Sequence, residues 1–121
     1  MSGRRIMVID DESIVGKMIR AVLESDGYTV EIFLDARPAL LRLKEEKFDV
    51  VVTDLKMKGI DGMEVLRTVK AESPETKVIM ITAFASIDAA LEATRGKVDD
   101  FFPKPVKIKD LKASIERLLA K

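Results

Sequence analysis

The sequence predicts a single α/β domain, a doubly wound (βα)5 unit with a five-stranded parallel sheet covered by helices on both faces. Three observations carry this expectation. Short apolar runs alternate five times with longer amphipathic stretches. Three of the runs are rich in Val and Ile and apolar almost throughout, as expected of parallel strands buried on both sides. The 121 residues are the length of one domain, and a chain of this size buries roughly two-thirds of its unfolded surface without disulfide or metal staples.

The strand-like runs are Ile6–Ile9, Tyr28–Leu34, Val50–Thr53, Val78–Thr82 and a weaker Asp100–Phe102. After the first, Ile14, Met18, Val22 and Leu23 recur at helical spacing, and Gly27 stands where a C-terminal glycine cap belongs. Leu40 and Leu43, flanked by Arg42 and Lys44, mark a second helix, with Pro38 tolerable in its first turn. Met63, Leu66 and Val69 form a third stripe that ends near Ser73-Pro74. Ser86 to Thr94 reads as a short Ala-rich fourth helix stopped at Gly96, and Ile108, Leu111, Ile115, Leu118 and Leu119 form the last stripe. Right-handed crossovers and this number of units favour the flavodoxin-like strand order 2-1-3-4-5. A (β/α)8 barrel needs about twice the length. There is no repeat beyond the βα alternation, no linker and no low-complexity segment, so residues 1–121 read as one domain with a core of about 5–119.

Composition removes several function classes. Without Cys or His there is no thiolate site, imidazole base, Ser-His-Asp triad or His-ligated zinc. Lys and Arg number 21 and Asp and Glu 21, which argues against a general nucleic-acid-binding surface. No apolar run approaches the roughly 20 residues of a membrane helix, and residues 1–5 lead straight into a strand, not a signal peptide. The expectation is a cytoplasmic protein with no membrane contact.

In doubly wound sheets, ligands bind beyond the carboxyl ends of the strands, where the strand order reverses. Here that point lies between the first and third strands. The first ends in Asp10-Asp11-Glu12 and the third in Thr53-Asp54. Neighbouring strands are about 4.8 Å apart, so Asp10, Asp11 and Asp54 should converge. Carboxylates this close need a cation or raised pKa values. Oxygen ligands alone favour a hard divalent ion such as Mg²⁺. The fourth strand ends in the hydroxyl of Thr82 and the small Ala83, and Lys104 follows the fifth. Acids, a metal, a hydroxyl and an ammonium suit phosphoryl transfer, with a carboxylate as nucleophile. Taken singly, each has an ordinary reading: Asp11 or Ser13 as a helix cap, Asp54 as a turn residue, Thr82 as a strand former, Lys104 as a surface charge. Their joint placement at the ends of the right strands is what points to a site.

These residues resemble the receiver domain of two-component response regulators over the whole chain from Arg5 to Leu119. The matching motifs are Ile9-Asp10-Asp11-Glu12, Thr53-Asp54-Leu55-Lys56-Met57, Gly59-Ile60-Asp61-Gly62, Ile81-Thr82-Ala83 and Asp100-Phe101-Phe102-Pro103-Lys104-Pro105. The resemblance implies that Asp54 accepts a phosphoryl group from a histidine-kinase phosphohistidine, a phosphotransfer protein or a small donor such as acetyl phosphate. It implies a Mg²⁺ site (Mn²⁺ as substitute) formed by Asp10, Asp11, Asp54 and the Lys56 carbonyl, with Asp11 the more direct of the acidic pair. Thr82 and Lys104 would bond phosphoryl oxygens, and Lys104-Pro105 is the candidate cis bond. Inward movement of Thr82 would let Phe101 rotate, and the face of the fourth helix, fifth strand and fifth helix would carry the change.

The resemblance also implies a partner kinase, and an output domain beyond residue 121 or a separate partner; the charges of that same face suit a homodimer or an ordinary solvated surface equally. Exposed charges for such a dimer are Lys97, Asp99, Asp100, Lys107, Lys109, Asp110, Lys112, Glu116 and Arg117. The Thr82-Ala83-Phe84 run and the Asp-Phe-x-Pro-Lys-Pro ending resemble receivers of the enhancer-binding class somewhat more than stand-alone chemotaxis types. An aspartate-nucleophile phosphatase would need an Asp-x-Asp pair, which Asp10-Asp11-Glu12 does not offer. An FMN carrier would need a Ser/Thr/Gly phosphate loop and ring aromatics. With no His of its own, the chain must take its phosphoryl group from outside.

Two departures stand out: Lys58 where the family usually has proline, and Arg95-Gly96-Lys97-Val98 where glycine–alanine is commoner. Lys56 and Phe84 occupy the positions that govern water access in the family, and both are large, which implies a long-lived phosphoryl group. Lys56→Ala or Phe84→Ala should therefore speed the decay of phospho-Asp54, measured as loss of label after donor removal.

Overall fold

The computed structural model describes residues 3–57, 59, 61–83 and 86–120. Its middle strand is β3 (Val50–Asp54), in which all five residues are buried. On either side lie β1 (Arg5–Ile9) and β4 (Lys77–Thr82), and the edges are β2 (Thr29–Phe33) and β5 (Asp100–Pro103). Every pairing is parallel and the order is β2-β1-β3-β4-β5, as the βα alternation predicts. Five helices connect and flank the strands: α1 (Ser13–Ser25), α2 (Ala36–Glu45), α3 (Gly62–Glu72), α4 (Ile87–Arg95) and α5 (Ile108–Leu119).

Successive side chains of a strand point to opposite faces, and here both faces are cores. Met7, Ile9, Val51, Val78 and Met80 pack with Leu66 and Val69 of α3, Ala36 and Ala39 of α2 and Ala93 of α4. Ile6, Val8, Val50, Val52, Ile79 and Ile81 pack with Ile19 and Leu23 of α1 and Leu111 and Ile115 of α5. This two-sided burial is why the inner strands read as unbroken apolar runs. The edge strands are only partly buried, which is why the fifth is the weakest in the sequence.

Several local expectations are corrected. The α1 stripe is largely out of phase: Leu23 is buried as expected, but Ile14 is 67% exposed and Met18 52%, and the other buried residues are Gly16 and Ile19. A stripe displaced by one residue is turned by about 100° around the helix. Gly16 sits on the inner face, where a Cβ would come 2.7 Å from Ile32 Cγ2. Neither Asp11 nor Ser13 caps α1; Glu12 is its N-cap and makes no side-chain capping bond. Tyr28 and Leu34 fall outside β2, and β5 runs one residue further, to Pro103. Asp35, Asp61 and Ser86 do cap α2, α3 and α4, accepting from Arg37, Glu64 and Ala89 N–H groups.

The end of α4 shows why its sequence is unusual. The Val98 N–H returns to the Ala93 carbonyl and the Lys97 N–H to Thr94, a closure that needs a left-handed residue. That residue is Lys97, at φ +69°. Gly96, one position earlier, is held by packing instead, since a Cβ there would lie 2.7 Å from Leu66 Cδ2. A side chain at positive φ is strained and glycine relieves it. Lys97→Gly should raise stability by about 0.5–1 kcal/mol in urea denaturation.

Candidate functional site

The reversal of strand order places the carboxyl ends of β1 and β3 side by side. Ile9 is in register with Thr53, so the residues that follow lie side by side: Asp54 ends β3, and Asp10 is the first residue past β1. The Asp10 backbone is pinned by its N–H to the Phe33 carbonyl, 3.0 Å, and its Oδ1 accepts the Glu12 N–H at 2.9 Å. Oxygens of Asp10, Glu12 and Asp54 lie within 4.8 Å of one another. Asp10 and Asp54 are buried, while the Glu12 side chain is 59% exposed.

Lys104 reaches this group from the far side. Its N–H donates to the Thr82 carbonyl at 2.8 Å, and the Lys104–Pro105 bond is cis. Its Nζ lies 2.6 Å from Glu12 Oε1, 2.9 Å from Asp10 Oδ2 and 3.1 Å from Asp54 Oδ2. Burial works against the Lys104 charge, but the three carboxylates outweigh it and hold the ammonium protonated far above its ordinary range. Asp10 is shifted the other way from a normal buried acid with a partner. Burial, with the Asp54 charge added, raises its pKa despite the Glu12 N–H and Lys104. Its Oδ2 contacts Lys104 at an ion-pair distance yet makes no hydrogen bond, so one buried carboxylate oxygen is left open to a cation.

The acceptor side is equally constrained. Asp54 Oδ1 accepts the Lys56 N–H at 3.3 Å and Thr53 Oγ1 donates to the Asp54 carbonyl at 3.0 Å. The Gly62 N–H donates to the Leu55 carbonyl at 2.8 Å. A Cβ on Gly62 would fall 2.2 Å from the Asp54 carbonyl oxygen. Only glycine lets the start of α3 approach the end of β3 this closely.

The residues expected from the sequence are distributed as follows. Thr82 is fully buried at the end of β4, and Ala83 is exposed beside Lys104. Phe101 is half-buried against the core on the α3 side, whereas Phe102 packs on the α5 side. Asp11 is exposed and lies outside the acidic group, which contains Glu12 in its place. Phe84 and Lys58 fall outside the described residues. Four of the charges expected for a dimer are engaged within the chain. Asp99 pairs with Lys70, Asp100 with Ser114 and Arg117, and Lys112 with Asp26. Glu12 and Gly62 are the site residues that the sequence left without a role. Glu12 follows the acidic pair directly and Gly62 closes the Gly-Ile-Asp-Gly run, so each was marked only by its neighbours.

Residues 6–116 match the family described as response regulator receiver domain. The chain belongs to that family. It is 34% identical over 115 residues to the transcriptional regulatory protein ZraR of Escherichia coli K12, covering 95% of this chain and 26% of that protein. A CheY-like receiver domain protein from Methanospirillum hungatei superposes with a TM-score of 0.92 at 30% identity, covering 97% and 94% of the two chains. The beryllofluoride-activated NtrC4 receiver domain dimer gives 0.90 at 31%, with 96% of each covered. This receiver domain thus spans about a quarter of the ZraR chain. No helix among its described residues is long and apolar enough to cross a membrane.

The raised pKa of Asp10 has a stability consequence in the metal-free receiver domain. A carboxyl whose folded pKa is raised favours folding below its unfolded pKa, and that contribution is lost as pH rises through the folded value. At neutral pH the ionised Asp10 therefore opposes folding. Asp10→Asn, which keeps an acceptor for the Glu12 N–H, should stabilise the domain at pH 7 by on the order of 1 kcal/mol. The gain should shrink toward acid pH, as followed by thermal melting without divalent cations.

Proposed function

We propose that this receiver domain is a phosphorylation-controlled switch whose acceptor is Asp54. The observation that carries the reading is the meeting of Asp54 with Asp10 and Lys104 at the carboxyl ends of the strands. A carboxylate oxygen of Asp54 attacks the phosphorus of the donor. With a phosphohistidine donor the P–N bond breaks, and its electron pair leaves with the imidazole nitrogen, which takes up a proton. With acetyl phosphate the P–O bond breaks and acetate leaves. Lys104 supplies fixed positive charge to the phosphoryl oxygens, and Thr82, at the neighbouring strand end, supplies a hydroxyl to them.

The donor set fits a hard cation: it is all oxygen, and Asp10 Oδ2 is buried without a hydrogen bond. Asp10, Asp11, Asp54 and the Lys56 carbonyl would hold Mg²⁺, or Mn²⁺ in its place. When bound, the ion neutralises charge on the phosphoryl oxygens. A histidine kinase or phosphotransfer protein has a surface to dock on. A groove of about 470 Å³ runs from Lys104 and Ala83 to Val15, Met18 and Ile108. Beside it on α1, Ile14 and Met18 stand exposed, and such apolar groups at a site rim mark a protein contact.

The added charge and acceptor oxygens would draw Thr82 inward and free space for Phe101, so that α4, β5 and α5 carry the signal. Exposed Ile87 and Leu91 on α4 suit a partner or a second copy there, and the dimer formed by the NtrC4 receiver supports the second copy. The relatives' greater length supports an output domain outside these residues, and a cytoplasmic location fits a kinase-fed switch. Incubation with acetyl phosphate and Mg²⁺ should add one acid-labile phosphoryl group by intact mass. An adduct that persists in Asp54→Ala, or none on the wild type, would overturn the assignment.

A further inference from the structure

The contacts of Lys104 are not equivalent. An ammonium has three donors, and Lys104 meets three carboxylates: Glu12 at 2.6 Å, Asp10 at 2.9 Å and Asp54 at 3.1 Å. The Lys104 side chain is only 13% exposed, with Asp10 at 0% and Asp54 at 7%. Glu12, at 59%, is the one carboxylate of the three in free contact with water. Its backbone is fixed by the bond from its N–H to Asp10 Oδ1, and its side chain reaches Lys104 from the N-cap of α1. It bridges 92 residues of sequence to reach Lys104.

We infer that Glu12 is a positioning residue that holds Lys104 in the resting site and must surrender it to the incoming phosphoryl group. This rests on Asp54 being the acceptor. A phosphoryl oxygen on Asp54 needs a donor from Lys104, whose Nζ already donates to Glu12 and Asp54 and ion-pairs with Asp10. Releasing Asp10 would strand a buried charge, which is costly. Releasing Glu12 returns an exposed carboxylate to water, which costs little. The exchange therefore runs through Glu12: the contact with the shortest distance is also the one most cheaply broken. Once released, the Glu12 carboxylate remains beside a dianionic group and repels it. Both effects act in one direction, so Glu12 lowers the affinity of the site for a phosphoryl group and for its analogues. Asp11, the neighbouring acid, is outside this contact, and no ion pair to it is found among the described residues.

The test uses beryllofluoride as the phosphoryl analogue at saturating Mg²⁺, so that differences in metal affinity do not enter, with its apparent Kd read by NMR titration. Glu12→Gln keeps the backbone bond to Asp10 and removes the charge. It should bind beryllofluoride about threefold tighter than the wild type. In a Lys104→Ala background the same change should have a smaller effect, because no ammonium remains to be released. Unchanged or weaker binding by Glu12→Gln would overturn the inference, as would an equal gain in the Lys104→Ala background. If the wild type binds no beryllofluoride, the acceptor reading itself fails and this inference falls with it. Binding by the wild type with no gain in Glu12→Gln removes the inference alone.

Discussion

One ammonium facing three carboxylates governs the electrostatics of this domain. The register between β1 and β3 places Asp10 and Asp54 together whatever their charges, and the core on both faces of the sheet leaves them no way to separate. Lys104, held at the end of β5 by its bond to the Thr82 carbonyl, is the group that makes the arrangement tolerable. It does so incompletely. One positive charge against three negative ones leaves the site net negative, and burial, with the Asp54 charge added, raises the pKa of Asp10. A pocket of this kind favours a divalent cation and rejects a free anion until more positive charge arrives. The same buried carboxylate whose desolvation opposes folding thus helps select what the site can accept.

The sequence made most of this legible because the relevant signals are long and redundant. Three strands are nearly continuous apolar runs, and a run buried on two faces cannot be mistaken for a surface helix of the same length. Once the strand order follows from the βα alternation, residues at the strand ends are placed in space without further information, which is how Asp10, Asp54, Thr82 and Lys104 come to one end of the sheet. What was not legible depends on phase or on close approach. The α1 stripe of Ile14, Met18, Val22 and Leu23 has helical spacing, yet of these only Leu23 belongs to the buried face, with Gly16 and Ile19. Periodicity identifies the helix and leaves its rotation open, because here a glycine occupies a core position and apolar residues occupy a surface one.

Glu12, Gly62 and Lys97 illustrate a second limit. Nothing in the local sequence shows that Glu12 turns toward Lys104 while Asp11 is exposed, because the choice is made by contacts across the sheet. Gly62 resembles any turn glycine until the Asp54 carbonyl is found 2.2 Å from where its Cβ would be. At the end of α4 the expected glycine is displaced by one position, since packing against Leu66 claims Gly96 and the left-handed turn falls on Lys97. Two demands that one glycine often meets are here divided between two residues, and one of them is met with strain.

The distribution of burial along the sheet bears on how a change at Asp54 could spread. β3 is buried throughout, and shifting it would disturb both cores at once. β5 is half-exposed along its length, pairs on one side only, and places Phe101 and Phe102 in opposite cores. Rotation of Phe101 therefore alters one face and leaves the packing on the other in place. β5 also joins both ends of the path, because Lys104 follows it directly and Asp100 at its start is tied to Ser114 and Arg117 of α5. Those bonds keep Asp100 ionised, lowering its pKa in spite of partial burial, and they couple the strand to the last helix by charge as well as by packing. Asp54 ends the fully buried β3, and its ion pair with Lys104 ties it to the half-exposed edge strand, which is bonded in turn to α5. The same bonds occupy Asp100 and Arg117 within the chain, so a second copy docking on this face would have to compete for them or rely on the apolar residues of α4.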